Sequence, residues 1–536
     1  MPDVRRSVRS AIMPIGAVLL FIAFAAWALA SPVGSSPDED YHLTSTWCGA
    51  GTEEGRCEPG DGPGTRTVPE SLLLAPCFAF NADTSASCQA GGYRFADDDL
   101  VVTSRGNFVG DYPPVFYFFT SLFVGNDISF SVVAMRVANA ALFVLLCSAT
   151  YLASAAGLRR ALVGGLAVTL VPLGVFIVPS INPSSWAVLS AGTLLVSVLG
   201  FMTAPPGHRR LALAGLAAVA VLLGAGARAD AAMYSVIAIG AALILSIRWD
   251  LPTVLRALYP VALAIAAAAA YFSAGQSSAV EGVAPGSLGP SQVGRLLVEV
   301  PELWAGAVGK WGLGWLDTTM APIVWFVGIA CVAAAVFAGM ASVNLRRGLA
   351  LTLVGLAMWL VPAYVQYLSG HPVGSYVQPR YILPLVVLFV VTATARTGGE
   401  LTVWTQPQRL LIVTAISGAN AVALHMNIRR YVTGTDAMSL NLDNAVEWWW
   451  GFPVSPMGVW FVGAVAFAIA ALILTRDLVP PAVAGDGLAA SPGANPAPDS
   501  VTTGPAAVPV APLPETVIED ASDRGPTYQD DGDPAG

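Results

Sequence analysis

Long apolar segments alternate with short polar turns over most of this 536-residue chain. Runs of about 17–25 apolar residues are long enough to cross the hydrocarbon of a bilayer, roughly 30 Å, as a helix. Because lipid cannot satisfy an unpaired backbone group, the pattern predicts an all-α polytopic membrane protein with about twelve transmembrane helices. The predicted spans are residues 11–30, 128–156, 161–179, 184–203, 211–227, 231–247, 254–274, 319–341, 349–368, 380–396, 409–425 and 456–475.

Arginines occur in every second turn between these spans and thereby predict the orientation of the chain. The residues concerned are Arg5, Arg6 and Arg9, then Arg159/Arg160, Arg209/Arg210, Arg248/Arg256, Arg346/Arg347, Arg396/Arg409 and Arg476. Cytoplasmic loops are enriched in Lys and Arg, so both termini are expected in the cytoplasm. Lys310 is the only lysine, and with the abundant Ala and Gly this composition indicates a GC-rich bacterial genome. We therefore expect a multi-pass protein of a bacterial inner (plasma) membrane.

This topology divides the chain into three regions. Residues 1–10 form a cytoplasmic N-terminus, and 11–475 form the polytopic membrane domain. The domain includes a large first extracytoplasmic loop at 31–127 and a second at 275–318. Residues 476–536 are acidic and rich in Pro and Ala. Such a segment cannot bury a core, so we expect a disordered cytoplasmic tail.

The first span has one alternative interpretation. Its arginine-rich start and its Ala28-Leu29-Ala30 end resemble a secretory signal peptide with a cleavage site. The apolar stretch is longer than the usual ~7–15 residues of such a peptide, which favours a retained membrane anchor. Cleavage would remove one helix and leave the first loop outside.

Composition and charge exclude several classes of function. Apolar residues make up 55% of the chain and charged residues only 11%, with a net charge of −9. Soluble domains average about 25% charged residues. No basic patch is present, so nucleic acid is not an expected partner. The chain also has no Walker A, HExxH or GxSxG motif and no GxGxxG in a βαβ context, which argues against soluble nucleotide chemistry.

Four of the six cysteines lie together in the first loop. They are Cys48, Cys57, Cys77 and Cys88, and an oxidising compartment would pair them as two disulfides with three possible connectivities. Pairing of sequence neighbours gives Cys48–Cys57 and Cys77–Cys88. A zinc site is the alternative, although no pair has CxxC spacing.

Three consecutive acids follow the first span and form the leading chemical candidate. Asp38, Glu39 and Asp40 repel one another at the membrane surface, which raises the pKa of at least one of them. Such a carboxylate is suited to act as general base on an acceptor hydroxyl. Together with His42, the acids also have the ligand types for a divalent cation. A solvated acidic cap at a helix end is the structural alternative.

A second group of polar residues lies at the ends of the predicted spans. Charges at membrane depth are costly, so each charged residue at these positions is a candidate for a functional role. Arg228 and Arg380 have the geometry to bind a lipid phosphate with two hydrogen bonds each, or else to pair with acids or phospholipid headgroups. The tryptophans of the second outer loop, spaced 7 and 4 residues apart, are predicted on one helix face. These tryptophans are Trp304, Trp311 and Trp315. The residues expected to bind substrate are His42, Tyr112, Tyr117, Asn182, Arg228, Asp317, Arg380 and Tyr381.

Four short motifs resemble one family of bacterial membrane proteins, the domain-of-unknown-function 2142 family. Residues 37–42 (PDEDYH) resemble its "PPDE…H" block. Later blocks are matched by Tyr112-Pro113-Pro114 with Tyr117, and by residues 180–183 (SINP). Residues 378–381 read Gln-Pro-Arg-Tyr, where the family usually has Gln-Gly-Arg-Tyr. The resemblance runs from about residue 10 to residue 475.

The resemblance implies a GT-C-like fold and a glycosyltransferase function. Enzymes of the GT-C superfamily pass a sugar from a polyprenyl-phosphate carrier to an acceptor, here an envelope glycan or protein, on the outer membrane face. Their hallmark acid lies in the first outer loop, where this chain has Asp38, Glu39 and Asp40. We expect Glu39 or Asp40 to be that acid, with a divalent cation left open. The alternative is a non-enzymatic transporter, flippase or scaffold for lipid-linked envelope glycans.

Overall fold

The computed structural model describes residues 2–90, 99–275, 289–370, 373–374, 377–397 and 404–479. Its helices are α1 (Pro2–Leu29), α2 (Glu39–Trp47), α3 (Ser71–Leu74), α4 (Val115–Ser121), α5 (Ile128–Ala153), α6 (Ala156–Thr169), α7 (Leu173–Ile177), α8 (Ser184–Thr203), α9 (His208–Ala227), α10 (Ala229–Ser246), α11 (Leu251–Ser273), α12 (Pro290–Glu299), α13 (Pro301–Ala307), α14 (Pro322–Met340), α15 (Leu345–Ser369), α16 (Pro379–Thr394), α17 (Gln406–Val432) and α18 (Pro456–Leu474). Most of the tail predicted to be disordered, residues 480–536, lies outside the described residues.

Ten helices in the described part of the chain are long and apolar enough to cross a membrane. They are α1 from Ile12, α5, α8, α9, α10, α11, α14, α15, α17 and α18. A mostly helical, multi-pass membrane architecture is therefore confirmed, and the count of twelve stays a prediction.

The two other predicted spans are shorter than expected. The span predicted at 161–179 is divided between α6, with 14 residues, and α7, with 5. Pro172 lies between these helices, and a proline cannot donate the backbone hydrogen bond that would continue α6. The span predicted at 380–396 corresponds to α16, which has 16 residues.

The predicted turns gather at two opposite ends of the bundle. At one end, here named the arginine end, arginine side chains hydrogen-bond the carbonyls of neighbouring turns, as Arg160 does with Asp477 and Arg256 with Met202. Likewise, Arg347 donates to the carbonyl of Ala395, and Arg396 donates to the carbonyl of Gly339. The other end, here named the loop end, carries residues 31–127. The grouping agrees with the predicted order of the turns, while the assignment of the arginine end to the cytoplasm stays a prediction.

Two helices form the centre of the bundle, and small residues allow their neighbours to approach closely. Nearly every residue of α8 and α16 is buried. At the periphery α1 packs against α18, where a Cβ atom on Gly463 would lie 2.6 Å from Cβ of Ala26. Close approach at small residues is how helices associate in lipid, where burial of apolar area offers little driving force.

The first loop contains a small sheet that the sequence analysis did not predict. Strands β1 (Glu58–Pro59), β2 (Arg66–Pro69) and β3 (Leu100–Thr103) pair antiparallel in the order β1-β2-β3. Disulfides join Cys48 to Cys57 and Cys77 to Cys88, which confirms the pairing of sequence neighbours.

The tryptophan prediction for the second loop is wrong. Helix α13 contains Trp304 but ends at Ala307, so Trp311 and Trp315 lie beyond it. Gly309, Gly312 and Gly314 all have positive φ, a conformation that glycine adopts without steric cost. These glycines turn the chain away from the helical path.

The two disulfides predict a simple labelling pattern. Under denaturing, non-reducing conditions, a PEG-maleimide should add to two cysteines, Cys147 and Cys331, and after reduction to all six. The mass of the product on a gel measures the number of additions. A variant with Cys48→Ser and Cys57→Ser should take two additions before reduction and four after it. Six additions to the unreduced wild-type protein would contradict the pairing.

Candidate functional site

The turn between α1 and α2 gives three consecutive acids different surroundings, although Asp38 and Asp40 share Arg105 as an ion-pair partner. Asp38 is the N-cap of α2 and has left-handed backbone angles, φ 57° and ψ 23°. For a residue with a Cβ atom this conformation costs about 1–3 kcal/mol, and it persists only where the surrounding structure fixes it. Glu39 and Asp40 follow in the first turn of α2, so their side chains leave the helix in different directions.

Glu39 forms a buried ion pair with Arg136 of α5. Nη2 of Arg136 lies 3.0 Å from Oε1 of Glu39, and the two side chains are 2% and 0% exposed. The guanidinium also donates to the carbonyls of Ala28, Ser31 and Pro32 at the end of α1. Glu39 therefore fixes the start of α2 against α1 and α5, and solvent does not reach its carboxylate.

Asp40 pairs instead with Arg105 of the first loop. Nε and Nη2 of Arg105 lie 2.7 and 3.0 Å from the two carboxylate oxygens of Asp40. The Arg105 side chain is 45% exposed. This is a solvent-facing bidentate pair that ties α2 to the segment after β3.

Asp38 lies against Arg380, the second residue of α16. Its Oδ2 atom is 2.6 Å from Nη2 of Arg380, and the carboxylate is 39% exposed. Burial alone would raise the pKa of Asp38, but the positive charges of Arg380 and Arg105 outweigh it and hold that pKa below its usual value. Asp38 is thus an ionised carboxylate that remains open to solvent.

Arg380 retains hydrogen-bonding capacity that its neighbours do not use. Its side chain is only 3% exposed. Nη2 also donates to the hydroxyl of Tyr381, whereas the buried Nε and Nη1 atoms have no hydrogen-bond partner among the described residues. Buried donors without partners are costly, so these atoms mark a position where a ligand would be stabilised.

Arg228 and Arg380 face the same aromatic ring. The guanidinium carbons lie 4.4 and 4.6 Å from the ring centroid of Tyr381, within range of a cation–π interaction. Arg228 also lies over Tyr112, at 5.6 Å, and forms a bidentate pair with Asp230 at 2.8 Å. The ring of Tyr381 therefore lies between two arginines that are 152 residues apart in the chain (380 − 228), and one of them, Arg380, contacts Asp38.

Aromatic side chains line the side of the site formed by α2 and α4. Nδ1 of His42 lies 2.9 Å from the hydroxyl of Tyr117, and the His42 ring packs against Tyr112. Burial lowers the pKa of His42 to about 3, so the imidazole is neutral at physiological pH. Burial also raises the pKa of Tyr112 to about 12. His42 and Tyr112 are therefore uncharged at physiological pH and contribute hydrogen-bonding groups and packing contacts to the site.

Asn182 contributes by holding the turn that carries Asp38. Its Nδ2 atom donates to the carbonyl of Pro37 at 2.9 Å, and its Oδ1 atom accepts from the backbone N–H of Ser184. Asn182 is fully buried and positions the backbone next to Asp38.

Asp317, in contrast, lies in a separate structural contact. Its Oδ2 atom is 2.8 Å from Nη2 of Arg430 and accepts the backbone N–H of Phe80. The adjacent Trp315 donates to the carbonyl of Gly34. This contact joins the second loop, α17 and the first loop, and Asp317 is not among the groups around Asp38.

The structure thus brings together seven of the predicted residues, here named the site cluster. They are Asp38, His42, Tyr112, Tyr117, Arg228, Arg380 and Tyr381. The sequence analysis did not identify Arg105 as a partner of the acids. The only signal in the sequence is that Arg105 is one of four arginines in the acid-rich segment 31–127. The three acids diverge toward arginines, and no group of three His, Cys, Asp or Glu side chains in the described part of the chain is placed to hold a metal ion. The divalent cation left open above stays untested.

Comparison with known proteins identifies the family. The model of the DUF2142 family, described as a predicted membrane protein, matches residues 21–389, and the chain belongs to this family. The match includes the whole site cluster. No curated protein and no solved structure matches the chain.

The different surroundings of Glu39 and Asp40 predict different losses of stability. Glu39→Gln leaves the buried Arg136 without its counter-charge and should lower the free energy of unfolding by about 3–5 kcal/mol. Asp40→Asn removes a solvent-facing pair and should cost less than about 1 kcal/mol. Circular dichroism of the purified protein titrated with SDS measures both values.

Arg136→Met tests the other member of the pair. It leaves the buried Glu39 without its counter-charge and also removes the donor to the carbonyls of Ala28, Ser31 and Pro32, so it should cost at least as much stability as Glu39→Gln. Equal losses for Glu39→Gln and Asp40→Asn would show that the buried pair does not hold the turn.

Proposed function

We propose that this member of the DUF2142 family is a membrane glycosyltransferase of the GT-C type. It would transfer a sugar from a polyprenyl-phosphate carrier to an envelope glycan or protein at the loop end of the bundle, on the outer face of the membrane. The observation that carries the proposal is the solvent-open carboxylate of Asp38 against Arg380, whose buried Nε and Nη1 atoms have no partner in the described part of the chain.

The arginines account for recognition of the donor. A polyprenyl phosphate carries its charge at the membrane surface, at the depth where α10 and α16 begin. Arg380 has two buried donor atoms without partners in the described part of the chain, Nε and Nη1, and Arg228 faces the same tyrosine ring. A phosphate oxygen could accept a charge-assisted hydrogen bond from either atom. Both arginines would neutralise the charge that develops on the phosphate as it leaves.

Asp38 accounts for activation of the acceptor. The acceptor hydroxyl attacks the anomeric carbon, the bond from that carbon to the phosphate oxygen breaks, and polyprenyl phosphate departs with the electron pair. Asp38 takes the hydroxyl proton, and the configuration at the anomeric carbon inverts. Because its pKa is lowered, Asp38 is a weak base toward a free hydroxyl. The proton therefore moves to Asp38 only as the new bond forms, since bond formation makes the hydroxyl more acidic.

The surroundings of the acids favour Asp38 over the two residues expected from the sequence. Glu39 is fully buried and bound to Arg136, so an acceptor hydroxyl has no path to it. Asp40 engages both oxygens with Arg105 and lies outside the site cluster. Of the three, only Asp38 adjoins the unpartnered atoms of Arg380.

Binding of the carrier itself tests the role of the arginines. Undecaprenyl phosphate should bind the purified protein, and Arg380→Gln should weaken binding about 10- to 100-fold, the worth of one or two hydrogen bonds to a charged group. Native mass spectrometry in detergent measures the bound fraction. The control is Arg295→Gln, which removes an exposed arginine from α12 and should change nothing. Equal binding of undecaprenol, which lacks the phosphate, would contradict the proposal.

Glycan profiling of the native host tests the reaction. Deletion of the gene should remove one modification from the envelope glycans or glycoproteins, and the wild-type gene should restore it. Asp38→Asn should reduce restoration by at least about 100-fold, the usual contribution of a general base. Asp40→Asn, expressed at the same level, should restore it. Full restoration by Asp38→Asn would favour the transporter or scaffold alternative.

A further inference from the structure

In the segment between α17 and α18, two large apolar side chains are almost fully exposed. Met438 is 96% exposed and Leu440 is 86% exposed, with the half-buried Ser439 between them. These three residues are here named the tip. A soluble surface rarely presents such side chains side by side without a partner.

The tip is held in place by its backbone. Nε2 of His425 donates to the carbonyl of Leu440 at 2.9 Å. Arg429 donates to the carbonyl of Ser439 and, at 2.8 Å, to that of Asn441. Both donors belong to α17, so the apolar side chains are displayed from a fixed backbone.

The contacts of α17 set the depth of the tip along the bundle. The ring of His425, which binds the tip, packs against Trp460 in the second turn of α18. The neighbouring Met426 accepts the backbone N–H of Ala321 at the start of α14, and Asn427 donates to Ala30 at the end of α1. The tip therefore lies at the level where three candidate spans begin or end.

We propose that the tip inserts into the lipid leaflet at the loop end, at the boundary between headgroups and acyl chains. Lipid is the occupant because the same level of α18 already presents exposed apolar side chains, Phe461 at 60% and Val462 at 49%.

Charge defines which lipids would be recognised. Residues 433–455 contain no Lys or Arg and three acids, Asp436, Asp443 and Glu447. Asp443 is engaged at the N-terminus of α18, and Glu447 accepts from Ser85. Insertion is therefore driven by apolar burial, and anionic lipid would not strengthen it.

Site-directed spin labelling in nanodiscs tests the insertion. Full-length Met438→Cys and Leu440→Cys proteins, each labelled with a nitroxide, are reconstituted in phosphatidylcholine, and accessibility is measured to oxygen, which partitions into lipid, and to a water-soluble nickel chelate. We expect an oxygen-to-nickel ratio close to that of Phe461→Cys and several-fold above that of Asp436→Cys. Replacing a third of the lipid by phosphatidylglycerol should leave the ratio unchanged. Wild-type protein treated with the label reports the background from Cys147 and Cys331.

Two results would overturn the proposal. Nickel accessibility equal to that of Asp436→Cys would place the tip in water. Shielding of the label from both reagents would show that protein, including a second copy of the chain, covers the tip.

Discussion

The ion pair between Arg136 and Glu39 is the interaction on which the geometry of the loop end depends. An arginine within a span is costly unless its charge and its donors are satisfied. Arg136 meets this requirement with Glu39, three carbonyls at the end of α1 and the hydroxyl of Ser35. The negative end of the α1 dipole adds to the stabilisation. As a result, the direction in which the chain leaves α1 is set by α5.

The rest of the site cluster is assembled around that fixed turn. Asn182 holds Pro37 from the start of α8, and Asp38 then takes a left-handed conformation next to Arg380. The N-terminus of α16 thus meets a turn 342 residues earlier in the sequence. Residues with little freedom of their own place the carboxylate of Asp38 against Arg380, which is the preorganisation that electrostatic catalysis requires.

The sequence sufficed for ten of the predicted spans and for the disulfides, because each depends on local composition or short spacing. It did not suffice to choose among Asp38, Glu39 and Asp40. Adjacent residues at the start of one helix face different directions, and their environments depend on Arg380, Arg136 and Arg105, which lie 342, 97 and 65 residues away. The sheet of the first loop was missed because β1 has two residues and β2 and β3 four each, too few to show an alternating pattern. Pro172 divides an apolar run whose hydropathy alone predicts one helix.

The pairing of Asp38 with Arg380 has a consequence for the order of events in the proposed reaction. Without a donor, the positive charge of Arg380 keeps the pKa of Asp38 low and makes it a weak base. A phosphate that accepts from a free donor atom of Arg380 would cancel much of that charge. The pKa of Asp38 would then rise, because Arg380 is the largest of the charges that lower it. Under the proposed function, binding of the donor therefore makes the carboxylate a stronger base, and this favours an order in which the donor binds before the acceptor.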